Sequence, residues 1–222
     1  MNIAIAASNG ITITTTMVCM SFLYQHHWRR ANPPPLVASI LIITLTALTF
    51  GLQFAYPEIL QAFRRDVEGL KTGEWWRLVT PLFVQPHGWL QFLFNMVFLV
   101  VFLPIAERLY GARIWLLYFV PGVVGQLVNY AWLPDGGGSS TAAFGVMGSL
   151  LMYVLRHRRS VPKQYSFFAI LGLCGAVAMC FMRDGHGPGL LTGAFLAALI
   201  YGSSQQGQPN NALQATREDA RA

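Results

Sequence analysis

Residues 36–202 form a succession of apolar stretches, each close to the length that crosses a bilayer, at 36–56, 89–105, 113–133, 140–155, 165–182 and 187–202. A hydrocarbon layer of about 30 Å takes about 20 residues of helix, and backbone inside lipid must satisfy its own hydrogen bonds. Spans of this kind therefore fold as helices packed on one another. Only 11% of the residues are charged against 54% hydrophobic, which sets the chain apart from a water-soluble domain. The expected fold is an all-α, polytopic membrane helix bundle: a membrane domain over 36–202, an amino-terminal segment over 1–35 and a polar tail over 203–222.

The amino-terminal segment is ambiguous. Residues 3–24 are apolar but diluted by Ser8, Asn9, Gly10, Thr12 and the run Thr14 to Thr16, so they stand as an optional seventh span. No basic residue precedes them and no small-x-small cleavage site follows, which argues against a signal peptide. His26 to Arg30 make a basic and aromatic boundary, and Pro33 to Pro35 stop any helix from running through. The connection between the first two confident spans carries Arg64, Arg65, Arg77 and several tryptophans, as an interfacial loop would. Arg29 with Arg30, Arg108 with Arg113, and Arg156, Arg158, Arg159 with Lys163 all fall on one side, which the distribution of positive charge assigns to the cytoplasm. The formal charge of +6 is thus accounted for by membrane topology, and nucleic acid is not an expected partner. Cys19, Cys174 and Cys180 lie in apolar stretches without the spacing of a zinc or redox site.

This topology starts the spans at 140–155 and 187–202 from the same, non-cytoplasmic side, with Ser140 and His186 at their mouths. Gly185, Gly189 and Gly193 recur every fourth residue and line one helix face, and the Ser140 segment has small residues at Ala142, Gly145, Gly148 and Ser149. Two such faces can approach closely enough for a serine–histidine hydrogen bond of about 2.6–3.2 Å. Glycine spacing by itself serves an ordinary packed bundle equally well, with Ser140 a helix cap and His186 an interfacial residue.

Ser140-Thr141-Ala142-Ala143-Phe144-Gly145 resembles the nucleophile segment of the rhomboid intramembrane serine proteases, which read G-x-S-G-A-x-F-G, and Gly185 to Gly193 fits their G-H-x-x-G-x-x-x-G helix. Trp76-Arg77 through Phe83, then Asn95, then Glu107 with Gly111 follow in family order. The resemblance covers roughly 36–202 and implies a six-helix core that hydrolyses peptide bonds in or near the transmembrane segments of membrane-protein substrates. It implies Ser140 as nucleophile, His186 as general base, Asn95 as an oxyanion donor, and Phe144 as the ring against which the histidine packs. An interhelical hydrogen bond from Asn95 and plain core packing by Phe144 remain open on spacing alone.

No acidic third member is implied, and Asp184 is read as a residue of the adjoining loop. Glu107 and Trp76-Arg77 are read as scaffold. Two positions depart from the pattern: Gln91 stands where the family commonly has a histidine, keeping an N–H donor for the oxyanion, and Thr141 replaces the glycine after the serine. His87 is near enough to Gln91 to be weighed as a displaced substitute, although a loop histidine explains it as well. No metal or cofactor is expected, since the histidines have no His-Glu-x-x-His partner set. The competing readings are an inactive relative that binds transmembrane helices and a small-solute transporter. The expected site of residence is the plasma membrane of a bacterium, surrounded by lipid, with the active site opening to the non-cytoplasmic side.

Overall fold

A computed structural model describes residues 3–27 and 35–206, and helices are the only regular elements among them apart from a single bridge between Arg65 and Gly136. The order is α1 (Ile3–His27), α2 (Val37–Ala55), α3 (Pro57–Phe63), α4 (Val67–Lys71), α5 (Trp89–Tyr110), α6 (Ile114–Trp132), α7 (Ser140–Arg156), α8 (Lys163–Phe181) and α9 (His186–Gln206). The expected boundary at Trp28 to Arg30 and the tail beyond Gln206 lie outside the described residues. The tail's first residues, 203–206, continue α9.

α7 is the axis of the bundle. Every residue from Thr141 to Leu151 is buried, and α1, α5, α6, α8 and α9 all pack on it. Lipid-facing positions on the outer helices carry large exposed apolar side chains such as Ile40, Leu48, Phe94, Phe167 and Phe195. In lipid such residues need no further cover.

The ambiguous amino-terminal stretch is a continuous helix docked along α8. Four of its polar residues face inward, where Ser8, Thr12, Thr15 and Thr16 are buried. The Ser8 hydroxyl donates to Gly175 O at 2.9 Å, and Gly172 and Gly175 leave slots that Thr15 and Thr12 fill. Small polar side chains that return their hydrogen bonds to backbone carbonyls are suited to such an interface.

α5 runs five residues beyond the expected apolar end at 105, because buried Glu107 belongs to the packing. Its carboxylate accepts from Ala38 N and Ser39 N, both at 2.8 Å, and from the Ser39 hydroxyl at 2.6 Å. It thereby satisfies the free N–H groups and the positive end of α2. The interfacial connection is fastened by buried Arg77, whose Nη1 donates to Gln61 O and Arg64 O at 2.8 Å each and whose Nε meets Glu74. Glu107 and Arg77 each tie separate segments of the chain together.

Candidate active site

Two loops deliver Ser140 and His186 to one place. Residues 133–139 are held against the interfacial connection by buried Arg65, whose side chain donates to Leu133 O at 2.8 Å, to Asp135 O at 3.0 Å and to Gln126 Oε1. Gly138 N donates to Pro81 O at 2.7 Å, with φ at +133° and the Gln91 amide packed where a Cβ would stand. Only glycine meets both conditions. α7 begins two residues later, so the Ser140 side chain is fixed by the loop on one side and the helix on the other.

The second loop reverses the chain between α8 and α9. Arg183 takes a left-handed φ of 58°, Asp184 N bonds back to Met179 O at 3.0 Å and Arg183 N to Cys180 O at 3.1 Å, which together form a Schellman stop. The Asp184 side chain then folds over the start of α9, its Oδ1 accepting from His186 N at 3.0 Å.

α7 and α9 run parallel at very close range. Gly189 packs on Thr141 O and Gly193 on Gly145 O, four residues further along each helix, and neither contact leaves room for a side chain. His186 Nε2 lies 2.9 Å from Ser140 Oγ, and the imidazole sits 4.6 Å from the Phe144 ring, centroid to centroid, tilted by 38°. The His186 side chain is 29% exposed, so the pair is shielded but reachable.

The histidine has a carboxylate partner, contrary to the sequence expectation. Asp184 Oδ1 is 2.6 Å from His186 Nδ1, and its Oδ2 accepts from Asn9 Nδ2 of α1 at 2.8 Å. Burial by itself would raise the Asp184 carboxyl, but the hydrogen bonds and charge of His186 and the Asn9 amide outweigh it and hold the group at about 2. Asp184 is therefore a carboxylate at neutral pH.

Asn95 and Gln91 both reach the loop before Ser140. Asn95 is buried and donates to Gln85 Oε1 at 2.7 Å, while Gln91 Nε2 donates to Gly137 O at 2.8 Å. His87 N holds the Gln91 carbonyl at 2.9 Å, so His87 orients Gln91 and does not take its place. Thr141 turns its hydroxyl toward α6, to Gln126 Nε2 at 3.3 Å and Gly122 O at 3.4 Å, where Gly125 makes room. Its branched side chain is accommodated away from the Ser140 hydroxyl. Sequence reasoning missed Asn9 and Gln85. Buried Gln85 exchanges two backbone hydrogen bonds with Gln53 and leaves its own Nε2 without a partner, and nothing in the sequence pattern marks it.

This is a multi-pass membrane protein with a serine and a histidine in hydrogen-bond contact at one end of two parallel helices. A sequence profile of the Rhomboid domain matches residues 72–203. The "Putative rhomboid protease YdcA" of Bacillus subtilis is 34% identical over 159 residues, covering 68% of this chain and 78% of that protein. Rhomboid protease GluP of the same organism is 33% identical over 177 residues, covering 68% of this chain and 35% of GluP, so the chain spans about a third of that longer relative. Rhomboid-like protease 3 of Toxoplasma gondii is 38% identical over 79 residues, 34% of this chain and 29% of that one. The chain belongs to the rhomboid family of intramembrane proteases.

Proposed function

We propose that the chain is an intramembrane serine endopeptidase that cleaves peptide bonds in or near the transmembrane segments of other membrane proteins. The 2.9 Å contact between Ser140 Oγ and His186 Nε2 carries this reading. A hydroxyl is a weak nucleophile unless a base accepts its proton as it attacks. In the proposed reaction Ser140 Oγ forms a bond to the scissile carbonyl carbon while its proton passes to His186 Nε2. The carbon–nitrogen bond then breaks, and the same nitrogen returns the proton to the leaving amine. Water then attacks the acyl-enzyme carbonyl carbon as His186 Nε2 takes its proton, the carbon–Oγ bond breaks, and Nε2 returns the proton to Ser140 Oγ.

The oxyanion that forms between these steps needs donors. The free N–H groups in the first turn of α7 supply them beside Ser140, and the second N–H of the Asn95 amide is assigned to the same task. Gln91 takes part by turning its amide from Gly137 toward the substrate. Phe144 restrains the imidazole. No cofactor enters this chemistry.

α7 is 17 residues long, or about 26 Å, against a hydrocarbon thickness of about 30 Å. With Arg156 anchored at the cytoplasmic surface, Ser140 sits a few ångströms inside the opposite leaflet. The basic loops and the two Bacillus relatives support residence in a bacterial plasma membrane, with the site opening to the non-cytoplasmic side. Substrates are segments that unwind readily, because an intact helix hides its amide bonds.

A second reading, a relative that binds transmembrane helices without cutting them, is favoured by one observation: the Asn95 and Gln91 amides already bond Gln85 and Gly137. Cleavage of a glycine-containing transmembrane peptide by the purified chain, compared with Ser140→Ala, separates the two. Turnover that disappears with Ser140 supports the protease, and equal binding without turnover in both supports the second reading.

A further inference from the structure

Resting on the proteolytic reading, we infer that Asp184 is a positioning residue for His186 and that Asn9, on the amino-terminal helix, is its anchor. The Ser140–His186 couple is then one end of a four-residue relay. Its links are Ser140 Oγ to His186 Nε2 at 2.9 Å, Nδ1 to Asp184 Oδ1 at 2.6 Å, and Asp184 Oδ2 to Asn9 Nδ2 at 2.8 Å.

A neutral imidazole carries its proton on one nitrogen or the other, and only the form with a bare Nε2 can accept from Ser140. A carboxylate can only accept when ionised, so Asp184 at Nδ1 selects that form and fixes the ring plane. When Nε2 takes the serine proton, the imidazolium is stabilised by an adjacent charge that is shielded from water. Asp184 does not itself take the proton; its ionised state at neutral pH fits a purely electrostatic role.

The local geometry builds this arrangement in several steps. The Schellman stop at Arg183 aims Asp184 back over α9, and the contact to His186 N fixes the carboxylate at that level. Without Asn9 the second oxygen of a carboxylate that is only 7% exposed would lack its side-chain donor. The position of Asn9 is itself constrained, since the Ser8 bond to Gly175 O and the glycine slots at 172 and 175 set the register of α1 on α8. Asn9 also keeps its own Oδ1 buried without a partner, a cost that packing alone does not explain. α1 lies outside the matched Rhomboid domain, so this anchor comes from a part of the chain that the shared core does not include.

The test uses the full chain in detergent micelles, with a fluorogenic transmembrane peptide and a fluorophosphonate probe. Asp184→Asn should lower kcat roughly ten- to hundredfold with KM within about twofold, as loss of a charge-assisted bond to the base predicts. Asn9→Ala should lower kcat by about fivefold, and the double variant should be no slower than Asp184→Asn alone, because Asn9 acts only through Asp184. Thermal midpoints establish that the variants are folded. An Asp184→Asn enzyme within about twofold of native kcat, or losses that multiply in the double variant, overturns the inference. If Asp184→Asn does not fold, an unchanged kcat in Asn9→Ala does the same. Native chain that neither cleaves nor labels sinks the proteolytic reading and this inference with it, whereas active native and active Asp184→Asn protein sinks the inference alone.

Discussion

Replacing Gly189 by alanine perturbs the site without touching a reactive group. The added Cβ would stand 2.6 Å from Thr141 O, the carbonyl next to Ser140, whereas 3.0 Å is the least such a carbon tolerates and 3.4 Å an ordinary contact. The obstacle is backbone on a buried helix and cannot rotate away, so α7 and α9 must part by about 0.4–0.8 Å. Gly189 lies one turn from His186, and the parting passes directly to the Ser140–His186 contact. That contact lengthens from 2.9 Å to about 3.3–3.7 Å, beyond the range in which a base is poised to take a proton. A 1 Å misplacement costs about 10²-fold, so a loss of about tenfold in kcat is expected with the fold intact. Gly193→Ala forces a deeper overlap, with Gly145 O, and should lose about a hundredfold although it lies further from the histidine. Gly51→Ala, on α2 with nothing within 4 Å, is the control; it should keep native activity and gain about 0.5–1 kcal/mol of stability. Initial rates on the transmembrane peptide, with thermal midpoints alongside, provide the readout. Native kcat in Gly189→Ala, or less damage from Gly193→Ala than from Gly189→Ala, would refute the argument that this seam sets the Ser140–His186 distance.

Glu107→Ala should destabilise the protein by about 3 kcal/mol or more, since it strands two N–H groups and a hydroxyl of α2 in a dry interface, and urea-assisted thermal unfolding in micelles would register it. Arg183→Gly should leave activity unchanged and raise the thermal midpoint by the equivalent of up to about 1 kcal/mol, because Arg183 holds a left-handed φ at a position suited to glycine. Asp184 has a pKa depressed from 3.8 to about 2, so its contribution to stability is fully present above about pH 4 and lost as pH falls through about 2. The difference in melting temperature between native and Asp184→Asn protein should therefore shrink as pH falls from about 4 toward 2; a difference that persists undiminished to pH 2 contradicts the assignment. Asn95→Ala should reduce kcat more than it raises KM, as a donor to the transition state requires, and steady-state kinetics on the same peptide would show a loss confined to KM if Asn95 only binds substrate.

The helical spans were legible because lipid enforces a simple rule, and the apolar runs at 113–133 and 140–155 match α6 and α7 to within one residue at each end. The seam of α7 and α9 was legible too, since glycine at every fourth position has few uses in a membrane helix besides close approach. Hydropathy failed where polar groups are satisfied inside the bundle. Ser8, Thr12, Thr15 and Thr16 read as a weakening of the first span, yet they are the buried face that holds α1 to α8. Glu107 likewise ended the second confident span in the sequence, while in three dimensions it joins two helices. Asp184 stayed hidden for a different reason: its role depends on the turn made at Arg183, a residue whose left-handed backbone no propensity would forecast. Asn9 could not have been paired with Asp184 from spacing, because 175 residues separate them and only the docking of α1 brings them together.

The most direct test of an activated serine is the rate at which a fluorophosphonate labels the purified native chain, Ser140→Ala and His186→Ala under identical conditions. Labelling of native protein at Ser140, absent in Ser140→Ala and slowed by at least about tenfold in His186→Ala, is the predicted result. Native protein that stays unlabelled, or His186→Ala protein that labels as fast as native, would contradict it.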